Sequence, residues 1–246
     1  MANWIDGQVT HIKWWNDKLF SLTVSASLPS YKAGQFTKLA MTIEDKKVAR
    51  AYSFVNTPSN NNLHEFLLVT VKDGLLSPPL SDLKKGDTLQ IAEQASGFFT
   101  LDEVPVSDTL WLLATGTAIG PFLSMLGDDG IWQKYKHVVL VHGVRKHTDL
   151  VYQQQICDLC SNHPLTFVPV ISQEKWPDGL QGRITNAITS GELFNHAEIM
   201  PTPQNSQFML CGNPEMVKET TQLLLDLGFT LNRRAKPGNI TVEQYW

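Results

Sequence analysis

The stretch TLWLLATGTAIGPFLSML occupies residues 109–126, and its two halves follow different rules. Residues 109–114 form an almost unbroken apolar run, the pattern of a strand covered on both faces in a parallel sheet. A glycine-rich loop follows, Thr115-Gly116-Thr117-Ala118-Ile119-Gly120-Pro121, and a helix is predicted from about Pro121. A helix starting there aims free N–H groups back at the loop, where an anion would be stabilised. The spacing is G-x-x-x-G and not G-x-G-x-x-G, so by itself it fits a tight strand-to-helix turn as well as a ligand loop.

Working outward, the same alternation continues to the C-terminus. VVLVHGV (138–144), LTFVPVIS (165–172) and QFMLCG (207–212) are strand-like; DLVYQQQICDLCSN (149–162), GRITNAITSGELF (182–194) and NPEMVKETTQLLLDLG (213–228) are helix-like. Strands alternating with helices predict a Rossmann-like parallel sheet. Toward the N-terminus the pattern changes. FSLTVSA (20–26), FTKLAMTI (36–43), EFLLVTV (65–71) and TLQIAE (88–93) are short β-forming runs. Turn residues such as KAGQ (32–35) and KKGD (84–87) separate them, which predicts a small antiparallel barrel. The change of pattern lies near 100–108, giving two domains, 1–102 and 103–246.

Composition narrows the function classes. The chain has 246 residues, 42% hydrophobic, enough for two cores. Its net charge of -4 supplies no field that would draw it to nucleic acid. Three cysteines suit a reducing compartment better than a disulfide framework. No basic-then-apolar leader opens the sequence, and the run at 110–114 is far short of the ~20 residues that span a bilayer. A cytoplasmic protein that does not engage membranes is the expectation. Cys157, Cys160 and His163 recur at three-residue spacing, but no second pair completes a four-ligand zinc site. No metal centre is expected, and the absence of a G-x-S-x-G elbow leaves hydrolase readings unsupported.

Two further stretches concern ligands. In open parallel sheets ligands bind beyond the carboxyl ends of the strands. Cys211-Gly212-Asn213-Pro214 sits at such an end, with Asn213 a natural N-cap and Pro214 suited to the first helical position. In the N-terminal half, RAYSF (50–54), if extended, turns Arg50, Tyr52 and Phe54 to one face. A cation beside aromatic rings suits a flat, partly apolar molecule carrying negative charge.

Taken in order, Arg50-Ala51-Tyr52-Ser53, Val69 through Ser77, Gly116 through Pro121, Cys211-Gly212-Asn213-Pro214 and the final Tyr245-Trp246 resemble the bacterial ferredoxin/flavodoxin-NADP reductase family over essentially the whole chain. The resemblance implies a six-stranded antiparallel β-barrel that binds FAD and an α/β domain that binds NADP(H). It implies hydride transfer between nicotinamide and flavin N5, and one-electron exchange with ferredoxin or flavodoxin. By the same likeness Arg50 pairs with the FAD pyrophosphate, Tyr52 packs on the flavin ring, and Ser53 lies near N5, with Ala51 between them. Leu67, Leu68, Val69 and Thr70 would pass beside the flavin. Leu75, Leu76 and Ser77 would meet the pyrophosphate, Ser77 by donating its hydroxyl, and Thr117 would touch FAD. Tyr245 and Trp246 would cover it. Val144, Arg145, Ser172, Gln173 and Arg183 would hold the adenosine side of NADP, and Cys211, Gly212 and Asn213 the nicotinamide side. The resemblance places Ser53, Cys211 and Glu243 nearest the chemistry.

The chain departs from the family pattern at two positions. Pro79 stands where relatives often carry a basic residue, and Gln173 where a third arginine is expected. A charged hydrogen bond contributes about 1.5–3 kcal/mol, so losing one of three should weaken discrimination against NADH without abolishing it. Arg233, Arg234 and Lys236 form a basic patch suited to an acidic carrier. A monomer meeting that carrier transiently is expected. A free-flavin reductase or the reductase component of an oxygenase would share this plan, and a non-catalytic flavin-binding subunit is the reading from another class.

Overall fold

The computed structural model describes residues 3–59 and 61–244. Contacts divide the chain into two compact units, 1–100 with 120–127, and 101–119 with 128–246. The first unit is built on six antiparallel strands: β1 (Trp4–Trp14), β2 (Leu19–Ser25), β3 (Phe36–Ile43), β4 (Lys46–Ser53), β5 (Leu63–Val69) and β6 (Thr88–Ala92). Their order is β4-β3-β6-β1-β2-β5, and the sheet curls until its edges meet. Phe54 bridges Phe66, and the Val55 N–H donates to the Glu65 carbonyl at 2.8 Å. The inward side chains fill this barrel. Phe20, Leu22, Leu39, Phe54, Phe66 and Ile91 are wholly buried, and the Tyr31 ring stacks on Phe54 at 3.9 Å.

The β3–β4 hairpin positions the RAYSF stretch. Its two-residue turn, Glu44-Asp45, has φ of 48° and 60°, the left-handed pair whose twist matches the flanking strands. That turn fixes the register, setting Arg50 opposite Leu39, Tyr52 opposite Thr37 and Ser53 opposite Phe36. A short helix, α1 (Ser77–Ser81), follows β5, and α2 (Gly120–Leu126) packs with this unit. Ser124 donates its hydroxyl to the Asn56 carbonyl, and Thr57 donates to the Ser124 carbonyl, each at 2.9 Å.

The second unit carries β7 (Thr109–Thr115), β8 (His137–Val144), β9 (Leu165–Ile171), β10 (Leu180–Gln181), β11 (Ser206–Gly212) and β12 (Ile240–Gln244). All pair in parallel, in the order β10-β9-β8-β7-β11-β12. Its helices are α3 (Asp129–Lys134), α4 (Gln153–Asn162), α5 (Ile184–Thr189), α6 (Glu192–His196) and α7 (Pro214–Asp226). One apolar cluster joins Trp111, Leu113, Val139, Val141, Val168, Phe208 and Leu210 from the sheet to Ile184, Leu193, Val217 and Leu224 from the helices. Among the described residues no helix is long and apolar enough to cross a membrane.

Several local expectations needed correction. The helical segment expected over 182–194 is two helices, because Gly191 takes φ of 77° and turns the chain between α5 and α6. The strand expected over 65–71 ends at Val69. The helix expected from about Pro121 is present as α2 from Gly120; only the 3₁₀ turn before it, over Gly116–Ile119, was not foreseen. Arg233 and Lys236 bridge each other across a tight turn. Of the cysteine pair on α4, Cys157 is exposed and only Cys160 is partly covered.

Candidate active site

On the barrel, Arg50 projects from edge strand β4 and is exposed. Among the described residues its guanidinium meets only the Ala49 carbonyl, at 2.8 Å, and it makes no ion pair. Tyr52, two residues on, is half-buried against the barrel core. Burial pushes its phenol up to about 12, an effect that the charge of Arg50 partly offsets. Phe54 differs from the expectation: its ring lies wholly in the core, so the mixed face consists of Arg50 and Tyr52 alone. Ala51 is exposed and Ser53 is buried.

Leu67 and Leu68 are buried in the barrel, so only their backbone could serve a ligand. Val69 and Thr70 are half-buried, and the Thr70 hydroxyl is a buried polar atom with no partner. The loop beyond is tied by its own groups. The Gly74 N–H donates to the Val71 carbonyl at 2.8 Å, and the Val71 N–H donates to Ser77 Oγ at 2.9 Å. The Ser77 oxygen accepts from Val71, and its own proton is still free for the outward donation expected of it. Leu76 is buried as the N-cap of α1, whereas Leu75 stands 64% exposed at the bend of the loop.

On the parallel sheet, the chain leaves β7 in one direction along the strand order and β11 lies on the other side. The carboxyl ends of β7 and β11 therefore form a switch point, where open α/β sheets take ligands. The Asn213 N–H donates to Thr115 Oγ1 at 2.8 Å across it. Gly212 takes φ of 137°, and an added Cβ would overlap Thr115 Oγ1, so only glycine fits there. Asn213 caps α7, its side chain accepting from the Glu215 N–H at 2.8 Å and the Met216 N–H at 3.3 Å. Thr117 is buried in the 3₁₀ turn after β7. A residue the sequence reading passed over holds that turn: His142 Nε2 lies 2.9 Å from the Gly116 carbonyl and donates to it as the neutral imidazole. Full burial lowers the His142 pKa to about 4, so the ring stays uncharged at neutral pH.

Cys211 and Glu243 face each other in register across β11 and β12. Burial pushes the Cys211 thiol well up, and the Glu243 charge adds to that. Burial also raises the Glu243 carboxyl to about 7. The thiol is thus no thiolate at neutral pH, and the carboxyl carries a proton about half the time there. At the ends of β8 and β9, the Ser172 N–H donates to the Val144 carbonyl at 3.0 Å and the Gln173 N–H to the Arg145 carbonyl at 2.9 Å. Arg183 is the N-cap of α5. Arg145 and Arg183 are both exposed, without an ion pair among the described residues. Tyr245 and Trp246 lie outside the described residues.

Residues 11–98 match the oxidoreductase FAD-binding domain family and residues 112–222 the oxidoreductase NAD-binding domain family. A flavodoxin/ferredoxin–NADP reductase of Escherichia coli is 47% identical over 249 residues, covering all of both chains. A ferredoxin–NADP reductase of Pseudomonas aeruginosa is 32% identical, covering 99% of this chain and 98% of its own. Among solved structures, a ferredoxin NADP+ reductase from Neisseria gonorrhoeae with bound FAD and NADP superimposes over 100% of both chains, with a TM-score of 0.95 and 32% identity.

The chain belongs to the flavodoxin/ferredoxin–NADP reductase family.

As a member of that family it is an oxidoreductase with an FAD-binding and an NAD(P)-binding domain, which the donor sets fit. The barrel offers a guanidinium without an ion pair among the described residues, an aromatic ring, a buried Thr70 hydroxyl without a partner among them and a Ser77 proton, a set suited to a flat dianionic dinucleotide. The sheet offers two exposed arginines without an ion pair among the described residues, and a switch point where Gly212 packs on Thr115.

Proposed function

We infer that this reductase moves electrons between NADPH and flavodoxin or ferredoxin, with FAD as its resident cofactor. FAD, when bound, supplies what the side chains lack, accepting two electrons from NADPH and yielding them singly to a carrier. The chain supplies binding, orientation and control of protons. Arg50 would grip the pyrophosphate with two parallel N–H bonds, and Tyr52 would present its ring to the isoalloxazine. Ser77 and the N–H groups around it would donate to the same phosphates. Arg145 and Arg183 would take the 2′-phosphate, with Gln173 adding an uncharged contact. Glu243 would hold its proton at the carboxyl oxygens beside the neutral Cys211 thiol, keeping a second charge away from the switch point. On this reading 1–102 binds FAD and 103–246 binds NADP.

The carrier would meet a monomer transiently at Arg233, Arg234 and Lys236, all exposed, of which Arg234 also reaches Glu103 at 3.4 Å. Transfer should then slow as salt rises.

What supports this reading is the switch point itself, at the carboxyl ends of β7 and β11, where Gly212 packs so closely on Thr115 that a Cβ would overlap its hydroxyl and the Asn213 N–H donates to that hydroxyl. The test is anaerobic mixing of the yellow holoprotein with NADPH, followed by flavodoxin. Rapid bleaching and onward transfer to flavodoxin, with little to free FMN, is the expected result. A flavin that NADPH leaves oxidised would sink the assignment, and preferential reduction of free FMN would reassign it as a flavin reductase.

A further inference from the structure

Gln173 stands where the family resemblance implies a third arginine, and the loops around it are joined by more than two backbone hydrogen bonds. One residue beyond Gln173, Glu174 Oε1 accepts from both the backbone N–H of His147, at 2.5 Å, and the ring Nδ1 of His147, at 2.6 Å. The His147 ring then lies flat on Trp176, 4.4 Å between centroids and 6° from parallel. Trp176 in turn packs on the cluster of Val144, Leu150 and Ile171. These contacts join the loop after β8 to the loop after β9 in a continuous series, Val144 to Ser172, Arg145 to Gln173, His147 to Glu174 and Trp176.

The Glu174 carboxyl is held below its usual range, first by the His147 N–H and then by the His147 ring. It is therefore ionised throughout the neutral region, and the tie is a charged one. An arginine that reaches into solvent loses freedom when it binds phosphate, and that loss weakens affinity. A fixed backbone beneath it reduces the loss. The Arg145 carbonyl is part of this series, so its main chain is already held.

We propose that Glu174, acting through His147 and Trp176, is a positioning residue that sets Arg145 and Gln173 for the 2′-phosphate, and so restores part of the NADPH selectivity that Gln173 gives up. The proposal rests on the NADPH reading above and sharpens it. On that reading Glu174 and His147 act on the loops that carry Arg145 and Gln173, and not on the nucleotide itself.

The test uses the FAD-loaded protein and calorimetric titration with 2′,5′-ADP and with 5′-AMP, together with steady-state rates for NADPH and NADH. In Glu174→Ala the dissociation constant for 2′,5′-ADP should rise about tenfold while that for 5′-AMP holds. The NADPH KM should rise with it, with kcat and the NADH KM unmoved. Glu174→Gln, which keeps an acceptor oxygen for the His147 N–H, should recover much of the affinity. His147→Phe keeps the stack on Trp176 and should give a smaller rise; it carries the test should the alanine variant fail to fold. Equal weakening of both nucleotides, an unchanged 2′,5′-ADP affinity, or a fall in kcat alone would overturn the proposal. A parent protein that binds both nucleotides equally would instead remove the NADPH reading, and this proposal with it.

Discussion

The loop at 71–77 on the barrel and the loops at 144–147 and 172–176 on the parallel sheet use one device over very different spans. In each, a backbone N–H donates to a side-chain oxygen that holds the turn. On the barrel the partners, Val71 and Ser77, are six residues apart. On the sheet, His147 and Glu174 are 27 apart and belong to different β–α connections. A short tie forms and breaks with its own loop, so its loss should stay local. A long tie couples two connections, and its loss should reach every group they carry.

The largest test of that contrast lies at the switch point. Gly212→Ala combines a φ of 137° with a Cβ that overlaps Thr115. About 3 kcal/mol of stability should be lost, by positive-φ strain and overpacking together. Differential scanning calorimetry should show the parallel-sheet unit melting early while the barrel transition holds. A uniform shift of both would break the comparison.

Next comes Glu243. Its carboxyl pKa is raised from 4.5 to about 7 in the fold, so the folded state binds the proton more tightly than the unfolded chain. The Glu243 contribution to stability should therefore be full below about pH 4.5 and fall as pH rises toward 7, by no more than ~1.4 kcal/mol per pH unit. Denaturant titrations across that window should show the slope, and Glu243→Gln should flatten it.

On the barrel, Arg50→Ala removes a charged two-bond partner and should weaken FAD binding by ~1.5–3 kcal/mol, roughly ten- to 150-fold. Fluorescence of released FAD measures it, and the melting temperature of the apoprotein should hardly move, since Arg50 makes no ion pair among the described residues. The smallest effect belongs to Ser77→Ala. Losing the acceptor for the Val71 N–H should cost about 1 kcal/mol and raise FAD dissociation a few fold, without altering 2′,5′-ADP binding. A change on the nucleotide side would show that the barrel loop is not as self-contained as its hydrogen bonds suggest.

The same difference in span explains what the sequence could and could not reveal. The apolar runs of β7, β8, β9 and β11, the Asn213-Pro214 start of α7 and the Arg50–Ser53 stretch are local patterns, and each is readable in a few consecutive residues. Phe54 was misassigned because alternation gives a face but not the depth at which that face enters the core. Three strands escaped notice: β1, whose apolar Ile5, Val9 and Ile12 are interrupted by a bulge, and, for opposite reasons, β10 and β12. β10 is only two residues long, too short for any periodicity, whereas β12 carries Ile240, Thr241 and Val242, a β-branched run that was legible. His142, Glu174 and Trp176 left no signal at all, since their partners Gly116 and His147 are distant in sequence. The raised Glu243 carboxyl depends on burial, which the strand's tertiary setting decides.

β12 is the outermost strand of its sheet, paired with β11 along its length and bridged on its other side by Leu231 at Ile240, and its register sets Glu243 against Cys211. A slide by one residue would carry Val242 or Gln244 to that spot and turn the acid to the opposite surface. The strand thus acts as a vernier: inserting or deleting a single residue in the 229–239 approach could shift the position of an acidic proton without touching any residue of the site.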